Sequence, residues 1–210
     1  PFCAKHCWYC DFNVYERLGR LSEKYIDALI KDIKSFISFL ERPPLVRSFY
    51  IGGGTPSLVG SQMLQNLLNT LLDSFSISIP LEVTVEVNPT DVTNDLMNEL
   101  YQVGVNRISI GIQSFNNQRL AELDRLHTSD QAIQALGSAK AAGIRSVSID
   151  LLYGLPNQTL NGWHKDVLRA VDLQPDHISA YSLTLYSASS QSRARKLGGI
   201  HPDDELALYY

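Results

Sequence analysis

The sequence predicts an α/β fold in which strands and helices alternate around one parallel sheet. Three observations carry that expectation. Short runs rich in Val and Ile recur along the chain, helical periodicities fill the gaps between them, and residues with chemistry collect where the strands end. In a β/α barrel that end is the face that carries function. The 210 residues, 44% hydrophobic and 19% charged, suffice for one sizeable core.

Strands are expected at residues 48–52, 81–88, 107–112, 146–152 and 177–183. Several carry Val and Ile on both alternating faces, as strands buried on both sides do. Helical patterns cover about 22–40, 61–75, 94–103, 117–123, 130–142 and 162–173. Gly104 and Gly143 stand where helices should stop. Residues 208–210 read as the start of a further helix.

All three cysteines fall in Cys3-Ala-Lys-His-Cys7-Trp-Tyr-Cys10, a C-x3-C-x2-C spacing. Thiolates so close together can wrap one face of a [4Fe-4S] cluster, each on one iron. The remaining iron would stay open, as a catalytic zinc keeps a position open, and could take the amino and carboxylate groups of S-adenosylmethionine. An odd cysteine count argues against a disulfide framework. A zinc site completed by His6 or a distant histidine is the alternative on spacing alone.

Gly52-Gly-Gly-Thr-Pro-Ser57 follows the first strand directly. Consecutive glycines let a backbone approach a ligand with no side chain in the way, though a tight turn has the same composition. No lysine follows them, so they are not a phosphate loop. Glu86, in Thr84-Val-Glu86-Val-Asn88-Pro89, ends the second strand as an acceptor for ribose hydroxyls or an ammonium group, or as a solvated edge charge. Gln113 ends the third strand, two residues after Gly111. Arg125, in Leu123-Asp-Arg125-Leu-His127, suits a carboxylate held by two hydrogen bonds, or a surface ion pair. Asp150 lies in an otherwise apolar strand, where a carboxylate is costly unless a ligand or a backbone donor bonds it. His177 and Tyr181 either line the same mouth or pack at its rim.

Taken jointly and in this order, these motifs resemble radical S-adenosylmethionine proteins of the oxygen-independent coproporphyrinogen III oxidase type. The stretches that carry the resemblance are the cysteine motif, Gly52-Gly-Gly-Thr-Pro56, Glu86-Val-Asn-Pro89, Gly111-Ile-Gln113-Ser-Phe115, Arg125-Leu-His127 and Ile149-Asp150-Leu-Leu-Tyr-Gly-Leu-Pro156. They span nearly the whole chain. The resemblance implies a partial, open β/α barrel of about six parallel strands, the first preceding Pro1, with a carboxyl-terminal domain after Tyr210. Residues 1–210 would then be the core domain of a longer protein. It implies Cys3, Cys7 and Cys10 as ligands of a [4Fe-4S] cluster. It implies Tyr9, Gly53, Gly54, Thr55, Glu86, Gln113, Arg125 and Asp150 as the contacts to S-adenosylmethionine.

One position divides the family. The oxidases continue to a fourth cysteine, C-x3-C-x2-C-x-C, where this chain has Phe12. Cys10-Asp-Phe12-Asn13 is similar to the HemW-type haem chaperones. That similarity implies a whole protein that binds haem or a porphyrin and hands haem to an acceptor protein. The alternative is the oxidase itself, a radical decarboxylase of porphyrin biosynthesis.

A net charge of -4 argues against a broad basic surface, and so against nucleic acid as the main partner. The sequence contains no apolar run of membrane-spanning length. Reduced, metal-binding cysteines fit a cytoplasmic location. A homodimer is neither required nor excluded by the sequence.

Overall fold

The computed structural model describes residues 1–185 together with Ser192 and Lys196, and the helix expected at 208–210 lies outside these described residues. Two short strands frame the cysteine loop. β1 (Phe2–Cys3) pairs in parallel with β2 (Tyr15–Glu16), a pairing that the sequence pattern does not announce. The main sheet has five parallel strands in sequential order, β3 (Leu45–Ile51), β4 (Ser76–Val87), β5 (Arg107–Gln113), β6 (Ser146–Tyr153) and β7 (His177–Ser182). They form an open half-barrel.

Helices run between the strands: α1 (Ser22–Ser38), α2 (Ser61–Ser74), α3 (Asn94–Gln102), α4 (Asn117–Glu122), α5 (Ser129–Ala141) and α6 (Leu160–Asp172). Their starts follow from local chemistry. Thr93 and Thr159 accept hydrogen bonds from the backbone N–H of Leu96 and Gly162, and Thr128 and Gln131 form a reciprocal capping box on α5. Gly104 and Gly143, with φ of 95° and 84°, end α3 and α5 in the left-handed conformation that glycine adopts without strain.

The core lies between the sheet and these helices. Val85, Ile108, Ile110, Ile112, Val147, Ile149 and Leu151 are fully buried in one cluster with Met97, Leu100, Ala132 and Ala139. Each large aliphatic side chain so buried contributes roughly 1.5–3 kcal/mol. The neighbouring residues on the same strands are polar: Thr84 and Glu86 on β4, Ser109 on β5, Ser148 and Asp150 on β6. The expectation of Val and Ile on both faces is therefore corrected. In an open half-barrel only the convex face is covered by helices, and the concave face is left to polar groups and whatever they bind.

Two strands start earlier than the pattern suggests, β3 at Leu45 and β4 at Ser76. Among the described residues no helix is long and apolar enough to cross a membrane.

Candidate cluster and cofactor site

The cysteine loop runs from the end of β1 to β2 and is fastened at several points. Cys10 N–H donates to Cys7 O at 3.0 Å. His6 donates through its backbone N–H to Glu16 Oε1 at 2.6 Å and through Nε2 to Cys10 O at 2.8 Å. Trp8 Nε1 donates to Glu122 O at 2.8 Å, and Lys5 Nζ pairs with Asp124 Oδ1 at 2.9 Å. The loop is thus pinned to the end of α4 across the barrel mouth. All three cysteines are free of disulfides.

A cavity of about 500 Å³ opens at the carboxyl ends of the strands. Cys3, Cys7, Cys10, Tyr9, Gly53, Gly54, Thr55, Glu86, Gln113, Arg125 and Asp150 all line it, so the structure gathers every expected site residue in one place. Phe12, Asn88, Ser109 and Tyr181 line it as well. His177 does not; it is exposed and hydrogen-bonds Ser148 Oγ through Nδ1 at 2.9 Å.

Glu86 is held by both carboxylate oxygens, Oε1 accepting from Tyr50 OH at 2.8 Å and Oε2 from Gly53 N–H at 3.0 Å. Asp150 accepts from Ser109 Oγ, 3.3 Å from either oxygen, and burial pushes its carboxyl above the usual range. Thr55 N–H donates to Phe2 O at 2.7 Å, which docks β1 against the glycine loop. Burial likewise pushes the Cys3 and Cys10 thiols up, opposed by hydrogen bonds from the Thr55 side chain and the Phe12 backbone.

The glycine loop needs glycine for reasons the sequence does not reveal. A Cβ on Gly52 would sit 2.8 Å from the Glu86 carboxyl group. One on Gly54 would sit 2.7 Å from Phe2 O. The space that the sequence reserves for a ligand is, at these two positions, filled by the protein itself.

Arg125 shows what the cavity is suited to hold. Its Nη2 donates to Asn88 Oδ1 at 2.6 Å and to Gly111 O at 2.7 Å, and Nη1 faces Cys7 Sγ at 3.7 Å. Its Nε is buried with no partner. None of the ion pairs found among the described residues involves Arg125. A half-buried cation that lacks a carboxylate is costly, and an anionic group in the cavity would offset that cost. The sulfur donors fit a cluster better than a single ion. Three thiols on one loop at the cavity mouth can each take a separate iron of such a cluster.

Behind the cavity, His127 is 4% exposed and its Nε2 donates to Ile112 O at 3.0 Å. Burial, and then the Arg125 charge, lower its pKa to about 4. The folded value lies below the ordinary 6.5, so the unfolded chain binds the proton first as pH falls. Stability present above pH 6.5 is therefore lost between about pH 6.5 and 4, by roughly 3 kcal/mol. We expect His127→Gln to unfold in denaturant with a flatter pH dependence across that window. Equal slopes in both proteins would remove His127 as the cause.

The half-barrel, the three-thiol loop and the polar mouth define a class. Residues 1–170 match the family model of the radical SAM superfamily, and the chain belongs to it. Membership implies a [4Fe-4S] cluster and S-adenosylmethionine. The chain is similar to the heme chaperone HemW of Lactococcus lactis subsp. lactis, 38% identical over 185 residues, 88% of this chain and 48% of that protein. It is 37% identical to HemW of Escherichia coli over 186 residues, 88% of this chain and 49% of the relative. The solved structure of Escherichia coli coproporphyrinogen III oxidase, HemN, a radical SAM enzyme, matches with a TM-score of 0.81 at 30% identity, over 93% of this chain and 45% of that one. The chain spans about half the length of the curated relatives it matches.

Proposed function

We propose that this chain is the cofactor-bearing core of a HemW-type haem chaperone acting in the cytoplasm. The observation that carries the choice within the family is Phe12. It lines the cavity, 62% exposed, where the oxidases are expected to place a further cysteine. The similarity to proteins named heme chaperone supports the same choice.

In this reading Cys3, Cys7 and Cys10, which line the cavity, would hold the [4Fe-4S] cluster and leave one iron without a protein ligand. The unmet Nε donor of Arg125 suits the carboxylate of S-adenosylmethionine. Glu86 and Asp150 suit its amino and ribose hydroxyl groups. Gly53, Gly54, Thr55, Tyr9 and Gln113 shape the wall around it. When bound, the reduced cluster supplies the electron for opening the sulfonium. The protein's part is to orient the cofactor and exclude water. Haem, the acceptor protein, any self-association, the first barrel strand and the carboxyl-terminal domain belong to the whole protein in this proposal.

The likeness to the HemN structure favours a second reading, the oxidase itself. A phenyl ring can neither ligate iron nor carry a proton, so a fourth-cysteine function would have to be met elsewhere. The full-length parent should bind haem, release it to an acceptor, and leave coproporphyrinogen III unchanged under anaerobic, reducing conditions with S-adenosylmethionine supplied. Product chromatography beside a haem-transfer assay decides the matter. Clear turnover to protoporphyrinogen would make the oxidase the better reading.

A further inference from the structure

Four contacts join two of the cysteines through a residue that the sequence does not single out. Cys3 Sγ lies 3.3 Å from Thr55 Oγ1. Asn88 Nδ2 donates to Thr55 Oγ1 at 2.8 Å. Arg125 Nη2 donates to Asn88 Oδ1 at 2.6 Å, and Nη1 of the same guanidinium points at Cys7 Sγ, 3.7 Å away.

Chemistry fixes the direction of the links through Arg125 and Asn88, and the thiolate form of Cys3 fixes the remaining one. A guanidinium has donors only, so the amide atom that faces Arg125 is the oxygen. The amide nitrogen, a donor only, is then turned to Thr55, and Thr55 Oγ1 accepts from it. The Thr55 hydroxyl keeps its proton, and once Cys3 is the thiolate that a cluster ligand must be, the sulfur can only accept it. One amide thus aims a hydroxyl at Cys3 and a guanidinium at Cys7. None of these four contacts involves Cys10. Asn88 itself is well held. It closes β4 ahead of buried Pro89, and its carbonyl accepts from Asp91 N–H at 2.9 Å.

We infer that Asn88 is a positioning residue that sets the reduction potential of the cluster by fixing the donors to Cys3 and Cys7. The inference rests on the reading of the three thiols as cluster ligands. Hydrogen bonds to cluster sulfurs stabilise the more negative, reduced state and raise the potential. Without Asn88 the Thr55 hydroxyl is free to turn away and Arg125 keeps only Gly111 O as a close oxygen partner.

The test is a set of redox titrations on the anaerobically reconstituted chain, followed by electron paramagnetic resonance. Thr55→Val keeps the side-chain shape and removes the hydroxyl. It should lower the potential, a tenfold change in the one-electron equilibrium being about 59 mV. Thr55→Ser, which retains the donor, should stay at the parent value. Asn88→Asp keeps an oxygen for Arg125 but turns the Thr55 hydroxyl toward the new carboxylate. In that background Thr55→Val should add no further shift, a comparison in which the added charge cancels. Asn88→Leu releases both arms and should lower the potential more than Thr55→Val does. A full Thr55→Val shift in the Asn88→Asp background, or a parent-like potential in Asn88→Leu, would overturn the inference. If Asn88→Asp failed to fold, Asn88→Leu would decide alone, and the reverse. A parent chain that takes up no cluster would instead count against the cluster itself.

Discussion

Cys7→Ala is expected to abolish cluster uptake while leaving the sheet intact. The parent chain, reconstituted anaerobically with iron and sulfide, should hold about four of each, with the broad visible absorption of an iron-sulfur cube. Loss of one thiolate leaves the cube with two protein ligands, and Cys7 is the most buried of the three at 9% exposure. Its absence also removes the sulfur that Arg125 faces, leaving that guanidinium with neutral oxygens only. We expect less than about a tenth of the parent's iron to remain. The hydrophobic cluster on the convex face contains no cysteine, so thermal unfolding should change little. Tightly bound zinc in freshly purified parent protein, with no cluster after reconstitution, would return the thiols to the zinc alternative.

The strands of the fold were readable where burial is strongest. β5 and β6 have their buried rows in Ile108, Ile110, Ile112 and in Val147, Ile149, Leu151, and their expected bounds differ from the observed ones by one residue at the carboxyl end. The early start of β4 was hidden because Pro80 reads as a strand breaker. Between Ser76 and Leu81, β4 pairs with β3 alone, β5 joining only from Thr84, and a register shift lies between Val46 and Ser48. A proline is tolerated at such an irregular, one-sided stretch and not in a doubly paired one.

The polar concave face was misjudged for a related reason. Ser148 and Asp150 interrupt the apolar run of β6 at a strict period of two, but a lone serine or aspartate in such a run is easily read as an exception. Only the register across strands, which sets Glu86 beside Ser109 and Asp150 beside Ser179, shows that they form one surface. The residues expected at the site were named from motif order, and they line one cavity. Asn88 and Tyr50 were not so named, since their value lies in what they hold: Asn88 in Thr55 and Arg125, Tyr50 in Glu86. No spacing encodes a contact between residues 33 or 37 positions apart. The capping threonines mark the other extreme, because each acts on a backbone N–H three residues away, within reach of local pattern.

Gly54→Val should strip the chain of most of its cluster by a steric route rather than by blocking a ligand. A Cβ on Gly54 would stand 2.7 Å from Phe2 O, 2.8 Å from Pro1 C and 2.9 Å from Phe2 N. These are backbone atoms of the segment that carries Cys3, and no rotamer change can move them aside. Carbon contacts settle at about 3.5–4.0 Å, so β1 must retreat, and the Thr55 N–H bond to Phe2 O at 2.7 Å must stretch with it. Overpacking of this kind costs roughly 1–3 kcal/mol, enough to weaken the docking of so short a strand about 5- to 150-fold. Gly53→Ala is the control. Gly53 has a φ of 119° with nothing within 4 Å of the added carbon, so alanine there brings backbone strain of roughly 1–3 kcal/mol without pushing β1. Iron analysis after reconstitution should therefore show a severalfold loss in Gly54→Val and near-parent content in Gly53→Ala, with the main sheet folded in both. Full iron in Gly54→Val would show that Cys3 reaches the cluster without β1 seated on the glycine loop.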